Sequence, residues 1–304
     1  MTQMTPPLRV LVLGGTGMLG HKLVEVLSPT FDVWTTVRGE FEPLAKLGIF
    51  DRDRTVADVN ALDVDSIKRA ISATKPQVVI NAIGVLKNEV YGSDEAYVRA
   101  VNSALPQRLA ELSDEHGFRL ILISTDCVFD GRRGNYSESE APNATDLYGV
   151  SKRLGEVEGD HVLTLRSSII GRELMISHSL VEWFISNRGG SVEGFANAIY
   201  SGLPTVVFAE MIGTLIADHP DLNGLYHVSS DPISKYELLR LINAKLDLGI
   251  QIVRNDEFKI DRSLNSTKFR EATGIVPPSW ETLIDRMAAD PTPYDSWRPS
   301  VGVP

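Results

Sequence analysis

Apolar runs and amphipathic stretches alternate along the first 170 residues. "LRVLVLGG" is a short apolar run broken by glycines, and "FDVWTTVR", "QVVINAIG", "FRLILIST" and "HVLTLRSSIIG" repeat the type, with "GLYHVSS" further on. Such runs read as strands buried on both faces. Between them, "MLGHKLVEVLSP", "DVDSIKRAISATKP" and "SDEAYVRAVNSALPQRLAELSDEHG" place apolar residues at helical spacing. Strands alternating with helices predict an α/β fold of the Rossmann type, a doubly wound parallel sheet covered by helices.

After Gly171 the rhythm changes. "HSLVEWFISNRGGSVEGFANAIYSG" and "PISKYELLRLINAKLDLG" are helical or mixed, and the last sixty residues carry more Pro and polar residues. The expected organisation is a nucleotide-binding part over 1–172, with 203–231 returning to it as a last strand. A smaller mixed α/β substrate-binding cap takes 173–202 and 232–304, and the closing "PTPYDSWRPSVGVP" is expected as a surface tail.

Composition narrows the function classes. A formal charge of −10 does not suit general nucleic-acid binding, which needs a concentrated basic surface. No run approaches the ~20 apolar residues of a membrane span. The single cysteine excludes an internal disulfide and suits a reducing cytoplasm, and the start lacks the features of a signal peptide. Six histidines without ligand spacing give no metal site. A homodimer is compatible with all of this.

"GGTGMLG" sets Gly14, Gly17 and Gly20 between the first strand and its helix. The first permits a tight turn, the second lets a pyrophosphate approach the backbone, and the third lets helix and strand pack closely. Thr16, Met18 and Leu19 of the same turn are candidate cofactor contacts, with phosphate resting on N–H groups at the helix start. At the end of the second strand, "WTTVRGE" has Arg38 where a basic residue accommodates a 2′-phosphate. This favours NADP(H), while Glu40 leaves NAD as the alternative. Asp58 and Val59 are expected beside the adenine. Asn81, Ala82, Ile83 and Gly84 of "NAIG" are expected against the ribose and nicotinamide.

"ISTDCVFDG" and, twenty-three residues after Thr125, "YGVSK" carry the candidate chemistry. Tyr148 and Lys152 share one face of a helix. A nearby ammonium favours the phenolate and is expected to lower the tyrosine pKa from its usual ~10. Tyr148 is then a general acid or base, with a hydroxyl at Thr125 or Ser124 to hold the reacting oxygen. Cys127 lacks a base or cation in its local sequence, so a nucleophilic thiol is not expected. Lys87, Arg172 and Arg254 are candidate diphosphate partners, and Trp183, Phe195 and Trp280 candidate base-stacking rings.

The turn, the hydroxyl strand end and Tyr-x-x-x-Lys, in this order, resemble the extended short-chain dehydrogenase/reductase family. The resemblance is strongest to its dTDP-4-dehydrorhamnose reductase-like nucleotide-sugar reductases, and runs from Leu8 to Arg166, more loosely through the cap. It implies Thr125, Tyr148 and Lys152 as catalytic residues, and Asn102 as a support for the active-site strand. It sets Cys127 where the family motif "STDYVFDG" has a tyrosine facing substrate, which leaves the sugar open. The implied activity is NADPH-dependent reduction of a nucleotide-linked 4-keto-6-deoxy sugar. Two alternatives stand beside it. One is a non-catalytic NADP-binding regulatory or sensor subunit; the other is a nucleotide-sugar epimerase or dehydratase on the same fold, the latter disfavoured because Cys127 follows Asp126 where an acid pair is needed.

Overall fold

The computed structural model describes residues 6–90, 93–174 and 179–297. Twelve strands follow in chain order: β1 Arg9–Leu13, β2 Asp32–Thr36, β3 Thr55–Val56, β4 Val78–Asn81, β5 Arg119–Ser124, β6 Val162–Arg166, β7 Ile169–Ile170, β8 Ser191–Tyr200, β9 Leu203–Pro204, β10 Gly224–His227, β11 Ile233–Ser234 and β12 Gln251–Asp261. Seven form one sheet in the order β10-β6-β5-β4-β1-β2-β3. Every pairing in it is parallel. The α/β class and the parallel sheet are as the apolar runs predict.

Continuous apolar sequence explains the central strands. Val10, Leu11, Val12 and Leu13 are fully buried, as are Val79 and Ile80, because helices cover both faces. On one face, Ile67, Ile71, Leu105, Leu109 and Leu112 pack against Leu11, Val79 and Leu120. On the other, Leu23 and Leu27 of helix Gly20–Leu27 meet Phe208, Ile212 and Leu215 of helix Thr205–Asp218 around Val10 and Val12. The strand order reverses between β1 and β4, so the loops after both strands open on the same crevice. Open α/β sheets bind ligands there.

A second sheet, β11-β8-β12, stands beside the first. β12 runs parallel to β8 and β11 antiparallel to it. This small mixed sheet fits the mixed α/β cap expected over 173–202 and 232–304, although the sequence pattern does not itself predict a strand at the eleven-residue β12. Its residues are mostly exposed, and its register shifts between Asn255 and Lys259, so no clean apolar alternation announces it.

The last segment is not a simple surface tail. Tyr294 is buried, and its hydroxyl lies 2.8 Å from His21 Nε2 on the first helix. Lys22, only 3% exposed, reaches Asp290 at 2.8 Å. A buried ammonium needs carboxylates, and Glu25 on the same helix and Asp290 from the last segment supply them. Residues 298–304 of the expected tail lie outside the described residues, as do 1–5 of the chain start.

Candidate active site

A cleft of about 1040 Å³ opens at the carboxyl ends of β1, β4 and β5. The glycine turn forms one wall. Gly14 has φ +83°, and a Cβ there would come within 2.8 Å of the Ile83 side chain. A Cβ on Gly20 would lie 2.1 Å from the Gly14 carbonyl oxygen, so helix and turn meet only because Gly20 has no side chain. Gly17 differs: it lines the cleft, and its nearest protein atom to an added Cβ is 3.4 Å away. Packing within the protein does not require glycine there, and the wall is open to the cleft at this residue. Thr16, Met18 and Leu19 line the same wall.

Arg38 and Glu40 stand exposed at the rim after β2. Arg38 has no hydrogen bond or ion pair among the described residues, so its guanidinium faces solvent and cleft alone. Asn81, Ala82, Ile83 and Gly84 line the cleft after β4, with Asn81 Oδ1 accepting from Ile83 N at 3.1 Å. Asp58 and Val59 do not line it. Val59 is buried in the core below β3, and Asp58 is exposed with its backbone N–H held by the Gly39 carbonyl at 3.3 Å.

β5 delivers Ser124 and Thr125 to the floor. Thr125 Oγ1 accepts from Cys127 N at 3.2 Å and donates to Asp126 Oδ1 at 3.1 Å, which closes the turn after the strand. Helix Leu147–Leu154, capped by Asp146 accepting from Gly149 N at 3.0 Å, brings Tyr148 and Lys152 to the same floor. A Cβ on Gly149 would lie 2.3 Å from the Cys127 carbonyl oxygen. This glycine therefore sets how closely the tyrosine helix approaches the Thr125 turn. Asn102 ties the assembly from below, inside a π-helical turn at Ala100–Ala104. It accepts from Val85 N at 2.9 Å and donates to Val85 O at 3.1 Å and Ser151 Oγ at 3.3 Å. The loop after β4 is thereby fixed to the tyrosine helix.

Electrostatics differ from the expectation in one respect. Lys152 does not lower the Tyr148 pKa. Burial pushes the phenol well above its ordinary value, and Cys127 and Asp126 add to this while Thr125 opposes it. The Lys152 ammonium instead donates to the Ile123 carbonyl at 2.8 Å. Burial brings that ammonium down to about 8, against the pull of Glu156. Burial, then Asp126, also pushes the Cys127 thiol up to about 12, so it stays a neutral wall of the cleft at physiological pH.

Lys87 lines the cleft and faces Asp146 at 3.9 Å. Arg172 does not line it. Its guanidinium is spent on Glu182 at 2.7 Å and Asp295 at 2.5 Å and lies over the Tyr294 ring, so it anchors the chain end. Arg254 pairs with Asp256 on the exposed β12. Trp183 is exposed on helix Leu180–Ser186, Trp280 is buried and donates to Asp231 O, and Phe195 packs on Phe258; none of the three lines the cleft. Sequence reasoning missed two groups. Glu156 accepts from Ser124 Oγ at 2.6 Å and from both Arg166 Nε and Nη2 at 2.7 Å, bracing the floor. Lys235 lines the cleft beside Cys127; "ISKYELL" carried it in plain view, as the first residue of an amphipathic helix.

Comparison with known proteins decides the family. Residues 8–292 match the family described as the RmlD substrate binding domain. The chain belongs to that family. It is 30% identical to methionine adenosyltransferase 2 subunit beta of Mus musculus, over 92% of this chain and 90% of that protein. It is 25% identical to dTDP-4-dehydrorhamnose reductase of Aggregatibacter actinomycetemcomitans, over 92% and 98%. Among solved structures, dTDP-4-dehydrorhamnose reductase of Bacillus anthracis str. Ames in complex with NADP superposes with a TM-score of 0.76 at 22% identity, covering 93% of this chain and 99% of that one. This RmlD-family member thus shares its fold with reductases and its sequence with both reductases and an adenosyltransferase subunit.

Proposed function

We propose that this protein is an NADPH-dependent reductase of a nucleotide-linked 4-keto-6-deoxy sugar. The carrying observation is that Thr125, Tyr148 and Lys152 come from two separate elements onto the floor of one cleft whose wall is the glycine turn. The residues present fit a dinucleotide: the wall is open at Gly17 and basic at Arg38. Gly14, Gly17 and the residues between would hold the diphosphate, and Asn81 to Gly84 with Lys152 the nicotinamide end. Asp58 and Val59, which do not line the cleft, take no part in this proposed cofactor site, and residues 1–172 with 203–231 would form the nucleotide-binding part. When bound, a nicotinamide cofactor supplies the hydride.

The chain's own residues handle the oxygen. Thr125 orients the carbonyl, and the Tyr148 hydroxyl gives it a proton. A phenol held above its ordinary pKa keeps that proton throughout the neutral range, which suits donation and therefore reduction. Cys127, where the family motif has tyrosine, widens the pocket at the sugar. A nucleotide sugar is the partner this arrangement takes; a reducing cytoplasm suits the neutral thiol. No helix among the described residues is long and apolar enough to cross a membrane.

Single-turnover mixing of NADPH-loaded protein with a panel of nucleotide-linked 4-keto sugars tests the reading. Oxidation is expected with at least one, slowed about 10²–10⁴-fold in Tyr148→Phe, with NADPH affinity nearly unchanged. If no sugar oxidises bound NADPH although sugar binding is shown, the reductase reading fails. The 30% identity to the mouse adenosyltransferase subunit then favours a non-catalytic subunit.

A further inference from the structure

The cleft's lysines are not alike. Lys152 donates to the Ile123 carbonyl at 2.8 Å, and Lys87 faces the Asp146 carboxylate at 3.9 Å. Lys235 has neither a hydrogen bond nor an ion pair among the described residues. It opens helix Lys235–Leu246, where Ser234 caps the first turn by accepting from Glu237 N at 3.1 Å. Its ammonium lies 3.9 Å from the centroid of the Tyr200 ring and lines the cleft with Thr125, Cys127 and Tyr148. Tyr200 is buried, so the ring beneath the charge is a fixed platform.

This ammonium is withdrawn from water far enough that burial brings it down to about 8. The acidic group acting most on it is Asp126, whose Oδ1 already accepts from Thr125. A ring face offsets only a small part of what a cation loses on leaving water. An ammonium on the cleft wall with no hydrogen-bond acceptor in reach among the described residues calls for an acceptor from outside. The half-buried Cys127 leaves room for it. We propose that Lys235 is a specificity-determining residue that receives an anionic oxygen of the substrate, carboxylate or phosphate, beside Cys127. This rests on the nucleotide-sugar part of the reading above: a phosphate contact is compatible with a 6-deoxy sugar, whereas a carboxylate contact would replace the 6-deoxy group by a uronic acid.

Calorimetric titration of NADPH-loaded protein tests it with three probes: a nucleoside diphosphate, a neutral nucleotide hexose and a nucleotide uronic acid. Lys235→Met is expected to weaken at least one of them by about 10- to 100-fold, and Lys235→Arg to retain most of the affinity. NADPH affinity equal in all variants shows the fold intact. An equal loss on all three probes assigns the phosphate, and a loss confined to the uronic acid assigns a sugar carboxylate. Equal binding of every probe to wild type and Lys235→Met overturns the proposal, as does failure of every probe to bind wild type. Binding is read without hydride transfer, so a failed turnover assay and a failed titration remain separate results.

Discussion

The Lys152 ammonium lies 2.8 Å from the Ile123 carbonyl, one residue before the strand end that carries Ser124 and Thr125. The bond pins the tyrosine helix to β5, and burial there lowers the lysine pKa to about 8. A lowered pKa means that the charge is present below pH 8 and is lost as pH rises through it. If the ammonium holds the cofactor's ribose, NADPH affinity measured from pH 6 to 10 falls above about pH 8. Tyr148, shifted upward, does not produce that limb. Lys152→Arg stays charged and should move the limb to higher pH. An affinity flat to pH 10 in the wild type would remove Lys152 from the cofactor site.

Arg38 is exposed at the rim without a protein partner among the described residues, and on the proposed reading it carries the choice between cofactors. A guanidinium on a 2′-phosphate is a charge-assisted pair of roughly 1.5–3 kcal/mol, or about 10- to 150-fold in affinity. Arg38→Ala should lose that factor for NADPH and almost nothing for NADH. Equal losses in parallel titrations would show that Arg38 does not read the phosphate.

Asn102 is fully buried and satisfies both backbone groups of Val85 while holding Ser151. Asn102→Leu strands the Val85 N–H and C=O in a dry interior, at about 1–3 kcal/mol for each lost partner. The variant should unfold at lower denaturant by roughly 2–5 kcal/mol, and lose turnover beyond that, since the loop after β4 and the Tyr148 helix separate. Wild-type stability in Asn102→Leu would show that the bridge is not structural.

Much of this was legible in the chain because it is written locally. The strands of the parallel sheet are continuous apolar runs, and the glycine turn with the Tyr148 to Lys152 spacing is read within a few residues. What escaped depends on partners far away. Arg172 stands at the cleft edge of the sheet, yet its carboxylates are Glu182 and Asp295, the second 123 residues on. Lys235 reads as a solvated first-turn lysine until the small sheet sets it over Tyr200. The expected effect of Lys152 on Tyr148 failed for a related reason: helix spacing gives proximity, but the ammonium's acceptor is the Ile123 carbonyl and burial outweighs the remaining charge. β12, bulged and exposed, carries too little periodicity to be read at all.

Behind the cleft floor, His227 is fully buried between Arg166 and the backbone of Tyr136. Arg166 Nη1 can only donate, at 3.1 Å, so His227 Nε2 accepts and Nδ1–H donates to the Tyr136 carbonyl at 3.0 Å. A second proton would set an N–H against the guanidinium. Burial first, and then Arg166, lower the His227 pKa from 6.5 to about 4, and burial lowers His21 likewise to about 4. The unfolded chain thus binds protons between pH 6.5 and 4 that the native state refuses. Stability is full above pH 6.5 and is lost as pH falls toward 4, by about 1.4 kcal/mol per pH unit for each histidine. His227→Gln, whose amide can donate to the same carbonyl and accept from Arg166, should reduce the slope of unfolding free energy between pH 6 and 4.5 by about one proton's worth. The carboxylates paired in the native state, such as Asp32 and Asp290, act below this window because their lowered values lie under 3.8. Denaturant melts of wild type and variant at four pH values measure the slope, and identical slopes would mean that His227 already carries its second proton in the folded protein.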